Sequence, residues 1–210
     1  MSRTLSIKNL YEKKHKTFAF EDEWLNVMGT PEKFGAWIIW GLEKNGKTWF
    51  ALMLADYLSG FEKVLYISAE EGTGSAFVDA CRRAQINPSN KNINFLEYES
   101  IAELNERLKK KKSARIVFID NMTIYADELK NGSFRKLLND HADTLFIFLA
   151  HEERGEPYGA TAKLCRRLAK IIIHVVGLSC TVSGRCPGGN LTINQEKSAL
   201  YHGQNQLAAI

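Results

Sequence analysis

Residues 36 to 48 read Ala-Trp-Ile-Ile-Trp-Gly-Leu-Glu-Lys-Asn-Gly-Lys-Thr, an apolar run that ends in G-x-x-x-x-G-K-T and leads into the helix-like stretch Trp49 to Leu58. A strand, a glycine-bounded loop and a helix in that order form a phosphate-binding loop: backbone N–H groups wrap the phosphates and the helix N-terminus adds partial positive charge. Gly41 and Gly46 allow the tight turn and close approach. Leu42, Glu43, Lys44 and Asn45 supply the peptide groups between them, and Trp49 opens the helix. Lys47 is the residue to neutralise the β- and γ-phosphates of ATP. The Thr48 hydroxyl is the one to ligate Mg²⁺, which keeps several waters and takes few protein ligands.

Working outward, four more apolar runs are continuous rather than alternating: 64 to 68, 116 to 119, 145 to 150 and 171 to 176. Continuous runs belong to strands covered on both faces, and helical spacing between them gives a βαβ rhythm. The expected class is α/β, a mostly parallel central sheet with helices on both faces. Ile93 to Leu96 is a further short strand, after a helix from Ser75 to Gln85. Ser100 to Glu103 is a capping box, with Ile101, Leu104 and Leu108 on one face. Phe134, Leu137, Leu138 and His141 mark another helix. Beyond 177 the rhythm changes: Thr181-Val182 and Leu191-Thr192-Ile193 flank Gly184 to Asn190 and predict an antiparallel hairpin with a long tip. The expected organisation is an aromatic-rich lead-in over 1–34 (Phe18, Phe20, Trp24 and Phe34), a core over 35–200 and a frayed tail over 201–210.

At 210 residues, with 45% hydrophobic and 25% charged residues, the chain suits one soluble domain. It has no run of eighteen apolar residues and no secretory signal, so a cytoplasmic protein without a membrane partner is expected. Cys81, Cys165, Cys180 and Cys186 lack zinc spacing; reduced thiols are the expectation, although Cys180 and Cys186 could face each other across the hairpin. The net charge of +4 permits a polyanionic partner without requiring one. Lys109 to Lys112 ends a helix, where lysines suit the dipole, whereas Lys13-Lys14-His15-Lys16 lies in an arm that could touch phosphates.

Three carboxylates stand at the carboxyl ends of strands, the edge of an open α/β sheet where ligands bind. Asp120 ends Arg115-Ile116-Val117-Phe118-Ile119-Asp120 and should face Mg²⁺; otherwise it begins a turn. Glu70 and Glu71 follow Val64 to Ser68. Either could polarise water, or both could simply favour the next helix's dipole. His151 follows Leu145 to Ala150 as a γ-phosphate sensor or a structural histidine. Arg185, on the hairpin, could reach a neighbour's phosphate or nucleic acid, or stay solvated.

Together, Gly41 to Thr48, Glu70-Glu71, Asp120-Asn121 and His151 resemble the RecA-like class of P-loop ATPases, in particular its RadA, KaiC and DnaB-like members, over about residues 35 to 195. The chain is also similar to small AAA-type ATPases of phages and mobile elements. The resemblance implies a catalytic glutamate within Val64 to Glu71, a sensor at His151, and a finger within Ser183 to Gly189 that serves the adjacent subunit. It also implies ATP hydrolysis by a ring or filament acting on DNA in recombination, replication or a mobile-element cycle. Asn121 departs from the small Ser or Thr frequent after the acid, and Ser183 stands where a lysine often accompanies the finger. A small-molecule kinase and a nucleotide-dependent switch with little turnover are the alternatives.

Overall fold

The computed structural model describes residues 4–207. The strands are β1 (Gly35–Gly41), β2 (Val64–Ser68), β3 (Ile93–Leu96), β4 (Ile116–Asp120), β5 (Leu145–Glu153), β6 (Glu156–Pro157), β7 (Ile171–Val176), β8 (Ser179–Gly184) and β9 (Gly189–Thr192). Between them lie α1 (Ile7–Tyr11), α2 (Asp22–Met28), α3 (Lys47–Ser59), α4 (Ser75–Arg83), α5 (Ile101–Lys109), α6 (Ala126–Leu129), α7 (Ser133–Asp140), α8 (Ala160–Leu168) and α9 (Gln195–Leu207). One sheet runs in the order β3-β2-β4-β5-β1-β7-β8-β9, with β6 paired to the end of β5. The pairs from β3 to β7 are parallel, and β7-β8 and β8-β9 are antiparallel.

The apolar runs are unbroken because each strand feeds two cores. Trp37 and Ile39 pack on one side with Phe50, Leu54 and Leu58 of α3. Ala36, Ile38 and Trp40 pack on the other, with Leu104 of α5, Phe134 of α7 and Cys165 of α8 among the same cluster. Alternate residues of β4 and β5 divide in the same way, since successive side chains of a strand point to opposite faces. Helix α3 is apolar nearly all round, and Ala51, Leu52, Leu54 and Ala55 are wholly buried. The capping box at Ser100 and Glu103 forms as expected.

The lead-in packs as read. Phe18 stacks on Phe20, and Trp24 stacks on Tyr57 of α3 with ring centres 4.9 Å apart. The C-terminal region needs three corrections. The hairpin tip is only 185–188, because Gly184 still pairs with Ile171 and Gly189 already pairs with Val182. Strand β8 also pairs with β7 through the tight turn at Gly177-Leu178, so the antiparallel part has three strands. Residues 201–207 continue α9 instead of fraying, while 208–210 lie outside the described residues. All four cysteines are free: Cys180 is buried opposite Leu191, and Cys186 lies on the tip. Among the described residues no helix is long and apolar enough to cross a membrane.

Candidate nucleotide site

The parallel strands bring Gly41, Ser68, Asp120 and His151 to one level, since Gly41 is in register with His151 and Ser68 with Asp120. At that carboxyl edge lies a cavity of about 540 Å³, within the usual range for small-molecule sites. Glu43, Lys44, Gly46, Lys47, Thr48 and Trp49 border it from the loop and α3, and Glu70, Glu71, Asp120 and His151 border it from the strand ends. Gly41, Leu42 and Asn45 build the loop without lining the cavity. The Leu42 carbonyl accepts from Lys47 Nζ at 2.8 Å. Asn45 Oδ1 accepts from the Gly177 N–H at 2.8 Å, and the Asn45 carbonyl accepts from the Leu178 N–H at 3.1 Å. The β7-β8 turn thus clasps the outside of the loop.

Two glycines are required by their surroundings. Gly46 has φ +101°, a left-handed value that glycine tolerates, and a Cβ there would meet Leu178 Cδ2 at 2.5 Å. A Cβ on Gly41 would lie 2.2 Å from the Val175 carbonyl oxygen. The loop is therefore pressed between β7 and α3, with its peptide groups turned toward the cavity end of a thirteen-residue helix.

Asp120 is 8% exposed. Its Oδ2 accepts from the Tyr66 hydroxyl at 2.8 Å, and the Thr48 hydroxyl stands 3.4 Å away. Burial pushes the Asp120 carboxyl up to about 7; the Tyr66 hydrogen bond and Lys47 oppose the rise, and Glu70 and Glu71 add to it. Burial also lowers the Lys47 ammonium from its ordinary value, against the pull of Asp120 and Glu70. Thr48 and Asp120 together place two hard oxygens at the mouth of α3. That donor set fits Mg²⁺, which takes one or two protein oxygens and fills the rest of its octahedron with water and phosphate. Among the described residues no cluster of three or more His, Cys, Asp or Glu forms a metal cage.

The two glutamates separate. Glu70 is held at both oxygens: Asn121 Nδ2 donates to Oε2 at 2.7 Å, and His151 Nε2 lies 3.1 Å from Oε1. Its side chain remains 42% exposed, within reach of water. Glu71 borders the cavity with no such hold. His151 Nδ1 is buried without a partner, so the ring's one hydrogen-bonded nitrogen is the one turned to Glu70. Sequence reasoning missed Asn121, Tyr66, Leu178 and Arg83 as parts of the site. The last borders the cavity from α4, with its guanidinium over the Trp49 ring. Only Asn121 had a local signal, its place directly after Asp120.

Arg185 requires a correction. It follows Gly184, level with Ile171 at the entry to β7, and its N–H bonds the Lys170 carbonyl at 2.7 Å. That is the opposite pole of the sheet, so Arg185 does not contribute to the site of its own chain.

No family model matches the sequence, and no curated protein sequence matches it significantly. Solved structures do match. The ATPase domain of a helicase superposes with a TM-score of 0.57 at 16% identity, over 79% of this chain and 83% of that one. The flagellar accessory protein FlaH from Methanocaldococcus jannaschii superposes with a TM-score of 0.61 at 13% identity, over 85% and 92%. The RecA-like α/β fold implied by the sequence resemblance is the fold of this chain.

Proposed function

We propose that the chain binds ATP with Mg²⁺ and hydrolyses it to ADP and phosphate. The observation that carries this reading is the convergence of Lys47, Thr48, Asp120 and the doubly held Glu70 on one cavity, at the N-terminus of α3. Phosphate oxygens would replace the Leu42 carbonyl as the partner of Lys47, and the loop N–H groups would fix the chain of phosphates. Thr48 and Asp120 are the residues to hold the magnesium, which supplies positive charge against the phosphate oxygens when bound. Glu70 orients a water and accepts its proton as the water oxygen bonds to the γ-phosphorus and the bond to the β-phosphate oxygen breaks, releasing ADP. Asn121 and His151 keep the carboxylate aimed.

The finer reading is a homo-oligomeric ATPase whose cycle acts on DNA. It is supported by the resemblance of the motif residues to the RecA-like class and by the chain's positive charge. Light scattering with and without ATP and Mg²⁺ tests the assembly.

Phosphate release tests the chemistry. Lys47→Ala should abolish turnover in a protein whose circular dichroism is unchanged. Glu70→Gln should bind ATP but slow its cleavage by about 10²- to 10⁴-fold, the usual contribution of a general base. Wild-type turnover by Lys47→Ala would end the reading.

A further inference from the structure

The pole of the sheet opposite the phosphate loop carries its own pattern. The strand starts are level there: Val64 with both Ile93 and Ile116, Ile116 and Gly35 with Leu145, and Ile171 with Gly184. A cation stands at nearly every one. Lys63, Arg115 and Lys170 directly precede β2, β4 and β7, Lys91 and Lys33 lie two residues before β3 and β1, and Arg185 directly follows β8. The exception is β5, where Asp143 is engaged by Arg115. From β3 to β8 the row crosses six strand steps of about 4.8 Å, roughly 29 Å in all.

The N-terminal arm adds to the row at its middle. The Lys33 N–H bonds the Lys16 carbonyl at 3.0 Å, which lays Lys13, Lys14 and Lys16 against the start of β1. The arm, Lys33 and Arg115 border a concavity of about 400 Å³. Lys33, Lys170 and Arg115 have acidic partners in Glu62, Glu32 and Asp143. Lys13, Lys14, Lys16, Lys63, Lys91 and Arg185 have no carboxylate partner among the described residues, and all six are exposed. Six unpaired cations exceed the chain's whole net charge of +4, so the remaining surface is on balance slightly acidic. Lysines 110–112 close α5, where the helix dipole accounts for them, and they are not needed for the row.

We infer that this row is a binding surface for the phosphate backbone of a nucleic acid, read without regard to sequence. A linear polyanion matches a line of cations: 29 Å corresponds to about eight phosphates at roughly 3.4 Å per nucleotide. A positive groove that tracks a backbone is how nucleic acid is bound without base readout. A lipid bilayer presents a plane of charge, whereas these cations form a line that flanks a concavity. The inference names the surface behind the DNA part of the proposed function. It stands on charge placement alone, so it survives failure of the ATPase reading.

The test is fluorescence anisotropy of a labelled single-stranded oligonucleotide of about 20 nucleotides, without ATP, across a salt series starting near 50 mM. Wild type and Lys47→Ala should bind alike. The triple variant Lys16→Ala, Lys63→Ala, Lys91→Ala removes three exposed, unpaired cations and should keep the wild-type circular dichroism. It should bind at least about tenfold more weakly, with a log–log salt slope shallower by about 2, at roughly 0.7 for each phosphate no longer neutralised. The control Arg135→Ala, Lys163→Ala, which removes exposed cations elsewhere, should bind like wild type. The inference is overturned by an oligonucleotide that fails to bind at the lowest salt, by a triple variant with wild-type affinity and slope, or by an equally weakened control. Binding to phosphatidylserine vesicles in place of the oligonucleotide overturns it as well.

Discussion

The Asn121 carboxamide donates to Glu70 Oε2 at 2.7 Å, while its Oδ1 accepts from the Thr123 N–H at 2.9 Å and from the Thr123 hydroxyl. Asn121 is 2% exposed, so its two ends are fixed at once. It therefore couples the turn after β4 to the carboxylate beside the cavity, a task that a Ser or Thr at this position is too short to perform in the same way.

Replacing Asn121 with Asp keeps the acceptor for Thr123 and sets a like charge against Glu70. Phosphate release should fall at least about tenfold, which corresponds to roughly 1.4 kcal/mol in the barrier. ATP affinity, measured by titration calorimetry, should change less than threefold. A matching loss in affinity and turnover would assign Asn121 to ground-state binding instead of to the positioning of Glu70.

Tyr66 donates its hydroxyl to a buried carboxylate and stacks on Phe118 with ring centres 5.3 Å apart. Tyr66→Phe keeps the ring and removes the donor. A hydrogen bond to a charged group contributes about 1.5–3 kcal/mol, so urea denaturation should show a loss near the lower end of that range. An unchanged midpoint would mean that Asp120 finds another donor in solution.

How far the sequence reached depended on which signal each part of the site leaves in the chain. The five main strands were legible because burial on both faces leaves unbroken apolar runs, and the phosphate loop because its glycines and lysine sit at fixed spacing. Asp120 and the glutamate pair followed from the rule that ligands gather at the carboxyl ends of parallel strands. The choice between Glu70 and Glu71 was not legible. It depends on Asn121 and His151, 51 and 81 positions away, and no periodicity orients side chains past a strand's end. The Gly177-Leu178 clasp was equally hidden, since it acts through backbone N–H groups that every residue but proline carries. The row of cations is invisible until the register brings the strand entries level.

The clasp makes the two loop glycines unequal. An added methyl at Gly41 meets the backbone carbonyl of Val175 within a sheet, which cannot yield without breaking the β1-β7 pairing. At Gly46 the nearest atoms belong to the Leu178 side chain, which can turn away. Gly41→Ala should therefore lower the melting temperature more than Gly46→Ala. Adding Leu178→Ala should recover part of the loss at Gly46 and none at Gly41. The recovery should be incomplete, because φ +101° stays unfavourable for alanine whatever the space.

His141 gives the fold a pH dependence away from the nucleotide. It closes α7, is 6% exposed, and its Nε2 lies 2.9 Å from Asn105 Oδ1 of α5, an arrangement that suits the neutral ring donating to the amide oxygen. Burial holds its pKa below the ordinary 6.5, against the attraction of Asp140 and Asp143 and with the aid of Lys109 and Arg115. The unfolded chain then binds a proton at a higher pH than the folded one. The contribution of His141 is complete above about pH 6.5 and is lost as the pH falls through and below that value. Urea midpoints taken from about pH 7.5 to 5 should decline for wild type and decline less for His141→Gln, which keeps a donor for Asn105 and cannot titrate. Parallel declines in the two proteins would move the pH dependence to other groups and leave His141 a packing residue.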